Sequence, residues 1–98
     1  MPRVKICGIT NLDDARYASA CGADALGFVF YPASPRSIEP DGAGRIIAEL
    51  PPMITTVGLF VDESPDMIRE TVEFCGLDTV QLHGEETPAQ CFYPPCRV

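Results

Sequence analysis

Two nearly uninterrupted apolar runs, Ala25-Leu26-Gly27-Phe28-Val29-Phe30 and Thr56-Val57-Gly58-Leu59-Phe60-Val61, constrain this chain more than any other feature. Each is as short as a strand, and runs without polar alternation fit strands covered on both faces, as in parallel sheets. Parallel neighbours cannot be joined by a tight turn; they need a crossover, usually a helix.

The segments between the runs supply those crossovers. Val4-Lys5-Ile6-Cys7 is a short β-prone run closed by Gly8, and Thr10 with Asp13 predicts a capped helix that stops at Gly22. After the run at 25–30, a loop rich in Pro and Ser leads to a helix starting near Pro40. Its apolar stripe of Ala43, Ile46, Ile47 and Leu50 ends at Pro51-Pro52. Ser64-Pro65 then predicts an N-cap with proline at the first helical position, and Met67, Ile68, Thr71, Val72 and Cys75 form that helix's apolar face up to Gly76. Thr79-Val80-Gln81-Leu82 reads as a fourth strand, and Thr87-Pro88 as the start of a fourth helix.

The chain also repeats itself. Cys21-Gly22-Ala23-Asp24-Ala25-Leu26 and Cys75-Gly76-Leu77-Asp78-Thr79-Val80 lie 54 positions apart, each running from a helix end through a glycine stop and an aspartate into a strand. In a barrel of eight strand-helix units and ~200 to 250 residues, two units occupy roughly that length. The fold expected is therefore α/β, of the (β/α)8 barrel class, with the first four units present; a doubly wound, flavodoxin-like sheet is the alternative. Phe92-Tyr93-Pro94-Pro95-Cys96-Arg97-Val98 breaks the fourth helix after barely two turns, where a fifth strand would be expected to follow.

Composition narrows the partners. A net charge of −7 repels phosphate backbones and anionic lipid on average, so neither nucleic acid nor membrane is expected, although locally focused cations leave room for a small anionic ligand. The start lacks the long apolar stretch of a secretory signal, which makes the cytoplasm the expected compartment. Cys7, Cys21, Cys75, Cys91 and Cys96 are odd in number and contain no Cys-x-x-Cys pair, so they read as thiols rather than as disulfides or a metal site.

In a parallel barrel the chemistry gathers at the C-terminal ends of the strands. That directs attention to Cys7, the loop from Phe30 to Ile38, Asp62 and His83-Gly84. Strand alternation puts Lys5 with Cys7, and Gln81 with His83, on the inward face, leaving Val4, Ile6, Val80 and Leu82 to face helices. Most cysteines are small buried hydrophobes, and Cys21, Cys75, Cys91 and Cys96 are read so. Cys7, at a strand end beside Gly8 and near a helix start, is read as a partly exposed thiol whose thiolate Lys5 and the helix dipole favour. Two prolines stiffen the loop that carries Arg36, whose planar fork suits a carboxylate. His83 is the single histidine; a hydrogen-bonded core role competes with proton transfer. Asp62 fits the turn before Ser64.

Lys5-Ile6-Cys7-Gly8-Ile9-Thr10, Gly22 to Phe30, Ser34-Pro35-Arg36, Val57 to Val61 and Val80-Gln81-Leu82-His83-Gly84-Glu85 resemble phosphoribosylanthranilate isomerase, in order and at matching intervals, up to about Cys91. The resemblance implies a (β/α)8 barrel that acts without a cofactor on a phosphorylated small molecule in tryptophan biosynthesis. It also implies Cys7 as general base, Arg36 as the grip on the anthranilate carboxylate, and His83, with Gln81 on the same face, in substrate binding. The family's general acid, an aspartate on a later strand, and its phosphate loops have no counterpart in these 98 residues. Residues 1–98 are thus expected to form the N-terminal half of such a barrel, with a tail from about residue 92 unlike the family's fourth helix, as a truncated or altered reading frame would produce. Such a half is expected to pair with a C-terminal half, or else to be inactive and to self-associate through its open strand edges.

Overall fold

The computed structural model describes residues 4–82. Within them strands and helices alternate: β1 (Lys5–Cys7), α1 (Leu12–Ala20), β2 (Ala25–Val29), α2 (Pro40–Ala48), β3 (Thr55–Phe60), α3 (Pro65–Cys75) and β4 (Thr79–Leu82). The expected fourth helix from Thr87 lies outside the described residues. The four strands form one parallel sheet in the order β1-β2-β3-β4. A doubly wound sheet reverses direction within its strand order, and no such reversal occurs among these strands.

Right-handed crossovers between strands laid down in one direction put every helix on the same face. The core obeys this. Leu26, Phe28, Phe60 and Val80 point to the helix side and pack with Ala15 and Ala18 of α1, Ala43 and Ile46 of α2, and Ile68 and Val72 of α3. Phe28, Phe60, Leu26, Ile68 and Val80 are completely enclosed. Burying each contributes roughly 1.5 to 3 kcal/mol. The rings of Phe30 and Phe60 stack with centroids 5.2 Å apart.

Local signals were displaced in three places. The cap of α1 is Asn11, not Thr10: its side chain accepts from the Asp14 N–H at 2.8 Å and donates to the Asp14 carboxylate at 2.9 Å. Asn is the better cap, and this reciprocal pair uses it. Met67 is 48% exposed although the apolar stripe of α3 included it, because the buried face turns toward Ile68, Thr71, Val72 and Cys75. Val4 and Ile6 point to the helix side as expected yet stay 47% and 40% exposed, since among the described residues no strand pairs the outer edge of β1. The cap at Ser64 followed by Pro65 forms as the sequence indicates, and Asp62 adopts a left-handed φ of 49° in the preceding turn.

The repeated Gly-x-Asp segment has a physical task. After α1 and α3 the glycines Gly22 and Gly76 take positive φ, and the N–H of the residue after each glycine turns back to the helix, Ala23 to Ala18 and Leu77 to Val72. The chain then delivers Asp24 and Asp78 to the foot of an even-numbered strand. There each carboxylate accepts a backbone N–H at the foot of the preceding odd-numbered strand, from Val4 just before β1 at 2.8 Å and from Thr56 in β3 at 2.9 Å. Asp24 and Asp78 return their own N–H groups to the carbonyls of Val4 and Thr56. Thr56 is buried, and its hydroxyl also lies 3.2 Å from the Asp78 carboxylate.

These clasps sit at the N-terminal end of the sheet, the end that serves stability rather than chemistry in parallel barrels. Asp78→Ala would leave the buried Thr56 N–H without its acceptor, a loss on the order of 1 to 3 kcal/mol. Asp24→Ala is predicted to cost less, because Val4 is exposed and water can replace the carboxylate. Urea midpoints at constant slope measure both; equal losses would mean that burial of Thr56 is not what gives the second clasp its weight.

Candidate active site

Cys7 ends β1 and is half-buried. Its partners across the sheet are Gly27 of β2, Val57 of β3 and Thr79 of β4. Gly8 follows with φ +84°, a conformation that favours glycine, and the N–H groups of Gly8 and Ile9 both donate to the Gly27 carbonyl at 3.0 Å. The turn that leaves β1 is thereby tied to β2. Gly8, Ile9, Thr10 and the cap Asn11 separate Cys7 from the first residue of α1, so the thiol is farther from the helix start than the sequence suggested.

Arg36 comes to the same place from the loop after β2. That loop folds back on its own strand: Ser34 and Ser37 donate N–H groups to Tyr31 and Ser34 carbonyls, the Arg36 N–H donates to the Ser34 hydroxyl at 3.2 Å, and Ile38 donates to the Val29 carbonyl at 2.9 Å. The arginine side chain lies directly on Gly8. A Cβ at that glycine would stand 2.6 Å from Arg36 Cδ and 3.2 Å from Nη1. Its φ favours glycine at position 8, and a Cβ there would push the arginine off its resting place. Among the described residues no carboxylate pairs with Arg36, which leaves the guanidinium available to an anion.

Lys5 and Gln81 share the face opposite the helices, as strand alternation predicted, and Lys5 Nζ donates to Gln81 Oε1 at 2.5 Å. They stand on β1 and β4, with two strands between them. In a flat sheet three strand spacings across (~14 Å) and four residues of register along β4 (~13 Å) would put their backbones ~19 Å apart, beyond what the two side chains can bridge. The bond thus reports a curled sheet whose concave side carries Lys5, Cys7 and Gln81. His83, the remaining candidate, lies outside the described residues.

The other thiols differ from one another. Cys75 is buried, its sulfur 3.3 Å from the Pro40 carbonyl, and burial, reinforced by the charge of Asp41, raises its pKa above the ordinary 9.0 against an opposing hydrogen bond from the Gly44 backbone. Cys21 is exposed at the end of α1, which corrects its reading as a buried hydrophobe: a cap position projects beyond the packed face. Cys91 and Cys96 lie outside the described residues. No group of three metal-binding side chains occurs among the described residues. Nor is any helix there long and apolar enough to cross a membrane.

A cavity of about 570 Å³ runs along the outer edge of β1, lined by Val4, Ile6, Cys7, Gly8, Tyr17 and Arg36 among others. It contains Cys7 and Arg36 but not Gln81, and its floor is the helix-facing side of β1. It is a groove left beside the edge of β1 that no strand pairs among the described residues.

Four parallel strands in sequential order, helices on one face and polar side chains at the C-terminal ends define the parallel-barrel class, here represented by four of its units. The comparisons name the family within it. The profile described as N-(5'-phosphoribosyl)anthranilate (PRA) isomerase matches residues 4–93. The N-(5'-phosphoribosyl)anthranilate isomerase of Geobacter sp. (strain M21) is 62% identical over 91 residues, which cover 93% of this chain and 45% of that protein. Among solved structures, phosphoribosyl anthranilate isomerase from Thermotoga maritima superposes with a TM-score of 0.91 at 55% identity, over 93% of this chain and 44% of that one. A further structure of phosphoribosyl anthranilate isomerase, in complex with reduced 1-(o-carboxyphenylamino)-1-deoxyribulose 5-phosphate, also superposes at 0.91, over 47% of its chain. The chain belongs to the phosphoribosylanthranilate isomerase family, and it spans about half the length of these relatives.

The three described thiols give a direct check. Alkylation followed by peptide mass mapping should label Cys21 readily at neutral pH and leave Cys75 unlabelled in the native chain. The unfolded thiol loses its proton at lower pH than the folded one, so stability attributable to Cys75 is complete below about 9 and is lost as pH climbs through its higher folded value. Labelling of Cys75 as fast as Cys21 near pH 8 would contradict its enclosure.

Proposed function

We propose that residues 1–98 act as the N-terminal half of an isomerase that converts N-(5-phosphoribosyl)anthranilate to 1-(2-carboxyphenylamino)-1-deoxyribulose 5-phosphate, and do so in the cytoplasm. The observation that carries this is the seating of Arg36 on Gly8, beside Cys7, at the C-terminal end of β1. A guanidinium there can hold the anthranilate carboxylate by a charge-assisted fork while the sugar lies within reach of the thiol.

The rearrangement begins when an acid protonates the furanose ring oxygen. The C1′–O bond breaks and the anthranilate nitrogen pair forms an iminium at C1′. This iminium is the electron sink. Cys7, as thiolate, then removes the C2′ proton, and the C–H electrons form the C1′–C2′ double bond as the iminium becomes an enolamine. Tautomerisation places hydrogen on C1′ and leaves the ketone at C2′. Gln81, already bonded to Lys5 on the concave face, would border the substrate, and the family resemblance assigns His83 to substrate binding as well. In this reading the acid and the phosphate-binding loops come from a C-terminal half.

A second reading is an inactive half-barrel that associates through its strand edges. The exposed Val4 and Ile6 and the groove beside β1 favour it, because an unpaired edge invites pairing with another chain.

The deciding experiment follows the fluorescence of the anthranilate-linked substrate with the purified chain, alone and with the C-terminal half of a family member, using Cys7→Ala as the blank. No turnover is expected from the chain alone, since losing a positioned acid costs about 10² to 10⁴ in rate and losing the phosphate site removes orientation as well. Turnover is expected once the halves combine. Activity of the unaccompanied chain that Cys7→Ala abolishes would place a sufficient acid within these residues, whereas a folded but inactive assembly would favour the second reading. In an active assembly Arg36→Ala should raise KM about 10- to 100-fold, with Arg36→Lys restoring only part.

A further inference from the structure

Gly27 stands in the middle of β2, in an apolar run where a β-branched residue would be the better strand former. Its backbone does not require glycine, since φ is positive only at Gly8, Gly22 and Gly76 among the described glycines. Glycine inside a strand weakens it and often marks the close approach of another group. The group here is the Cys7 thiol: a Cβ on Gly27 would lie 2.8 Å from Cys7 Sγ, closer than such atoms approach, but 3.3 Å from Cys7 Cα and 3.5 Å from Cys7 Cβ. The sulfur is the nearest obstacle to a methyl group, with the Cys7 Cα a second, tight contact behind it.

Building on the reading of Cys7 as the proton-abstracting group, we propose that Gly27 is its positioning residue, providing through its missing side chain the seat that sets the direction of the thiol. Two contacts from one residue then hold the base. The carbonyl of Gly27 ties down Gly8 and Ile9, which fixes the backbone just after Cys7, and its bare Cα leaves room for the sulfur on the concave face. Without the first the thiol would move with the turn; without the second it would have to rotate about χ1, away from the face that carries Gln81. Cysteine has a single side-chain torsion, so its sulfur has only a few staggered places to go. In this structure the alternative space is the open groove along β1, which Cys7 already borders.

The test uses the 98-residue chain, compares it with Gly27→Ala, and reads the iodoacetamide alkylation rate of Cys7 against pH by peptide mass mapping, with Cys21 as internal reference. A thiol expelled from its seat into the open groove should alkylate about three- to tenfold faster, with the Cys21 rate unchanged. An unchanged or slower Cys7 rate in a folded Gly27→Ala chain overturns the proposal. Should Gly27→Ala fail to fold, the double variant Gly27→Ala/Cys7→Ala decides: recovery of folding assigns the clash to the sulfur, and continued failure overturns the proposal. The readout is the thiol itself, so it is separable from the isomerase reading. Turnover that survives Cys7→Ala in a combined barrel would remove Cys7 as base and leave the seating of its thiol intact.

Discussion

A parallel strand cannot hand its chain to a neighbour without crossing the sheet, and here every crossover runs in the same direction. The helices therefore collect on one face, and the sheet bends around to present its other face to whatever lies within. The enclosed core of Leu26, Phe28, Phe60 and Val80 against α1, α2 and α3 follows from this, as does the concave side where Lys5 reaches Gln81. The two ends of the sheet then take different work. The foot is clasped by Asp24 and Asp78, and the top carries Cys7 and the loop of Arg36.

The concave side illustrates how much a site depends on what is left out. Arg36 rests where Gly8 has no Cβ, and the Cys7 sulfur rests where Gly27 has none. Both glycines are tied together, because the Gly27 carbonyl accepts the N–H of Gly8. A thiol and a guanidinium are thus brought to the end of β1 by close approach to bare backbone rather than by a hydrogen bond between them. Lys5 adds a cation on the same side, bonded to a neutral amide. That combination leaves positive charge facing inward in a chain whose net charge is −7.

The open edge of β1 in a half-closed sheet explains the exposure of Val4 and Ile6. Val4 and Ile6 have the right orientation to be covered and nothing among the described residues to cover them. The family relatives, of which this chain spans about half, are the natural comparison.

The sequence by itself determined the alternation of strands and helices, the barrel class and the family, because these are written in local patterns: continuous apolar runs, a 3.6-residue stripe, Ser64-Pro65, and the repeat that ends two helices in glycine and aspartate. It also singled out Cys7, Arg36 and Gln81, since strand ends and strand faces can be counted along the chain. It missed the cap at Asn11, where Thr10 and Asn11 compete and only the backbone geometry chooses. It could say that Asp24 and Asp78 repeat, but not that each grips the preceding strand. Above all, only the tertiary structure revealed Gly27 beneath the Cys7 sulfur, Arg36 upon Gly8, and Lys5 joined to Gln81. The reason is register: residues 20 to 76 positions apart meet only after strands have paired and the sheet has curled, and no local pattern records which bare Cα will lie under which side chain.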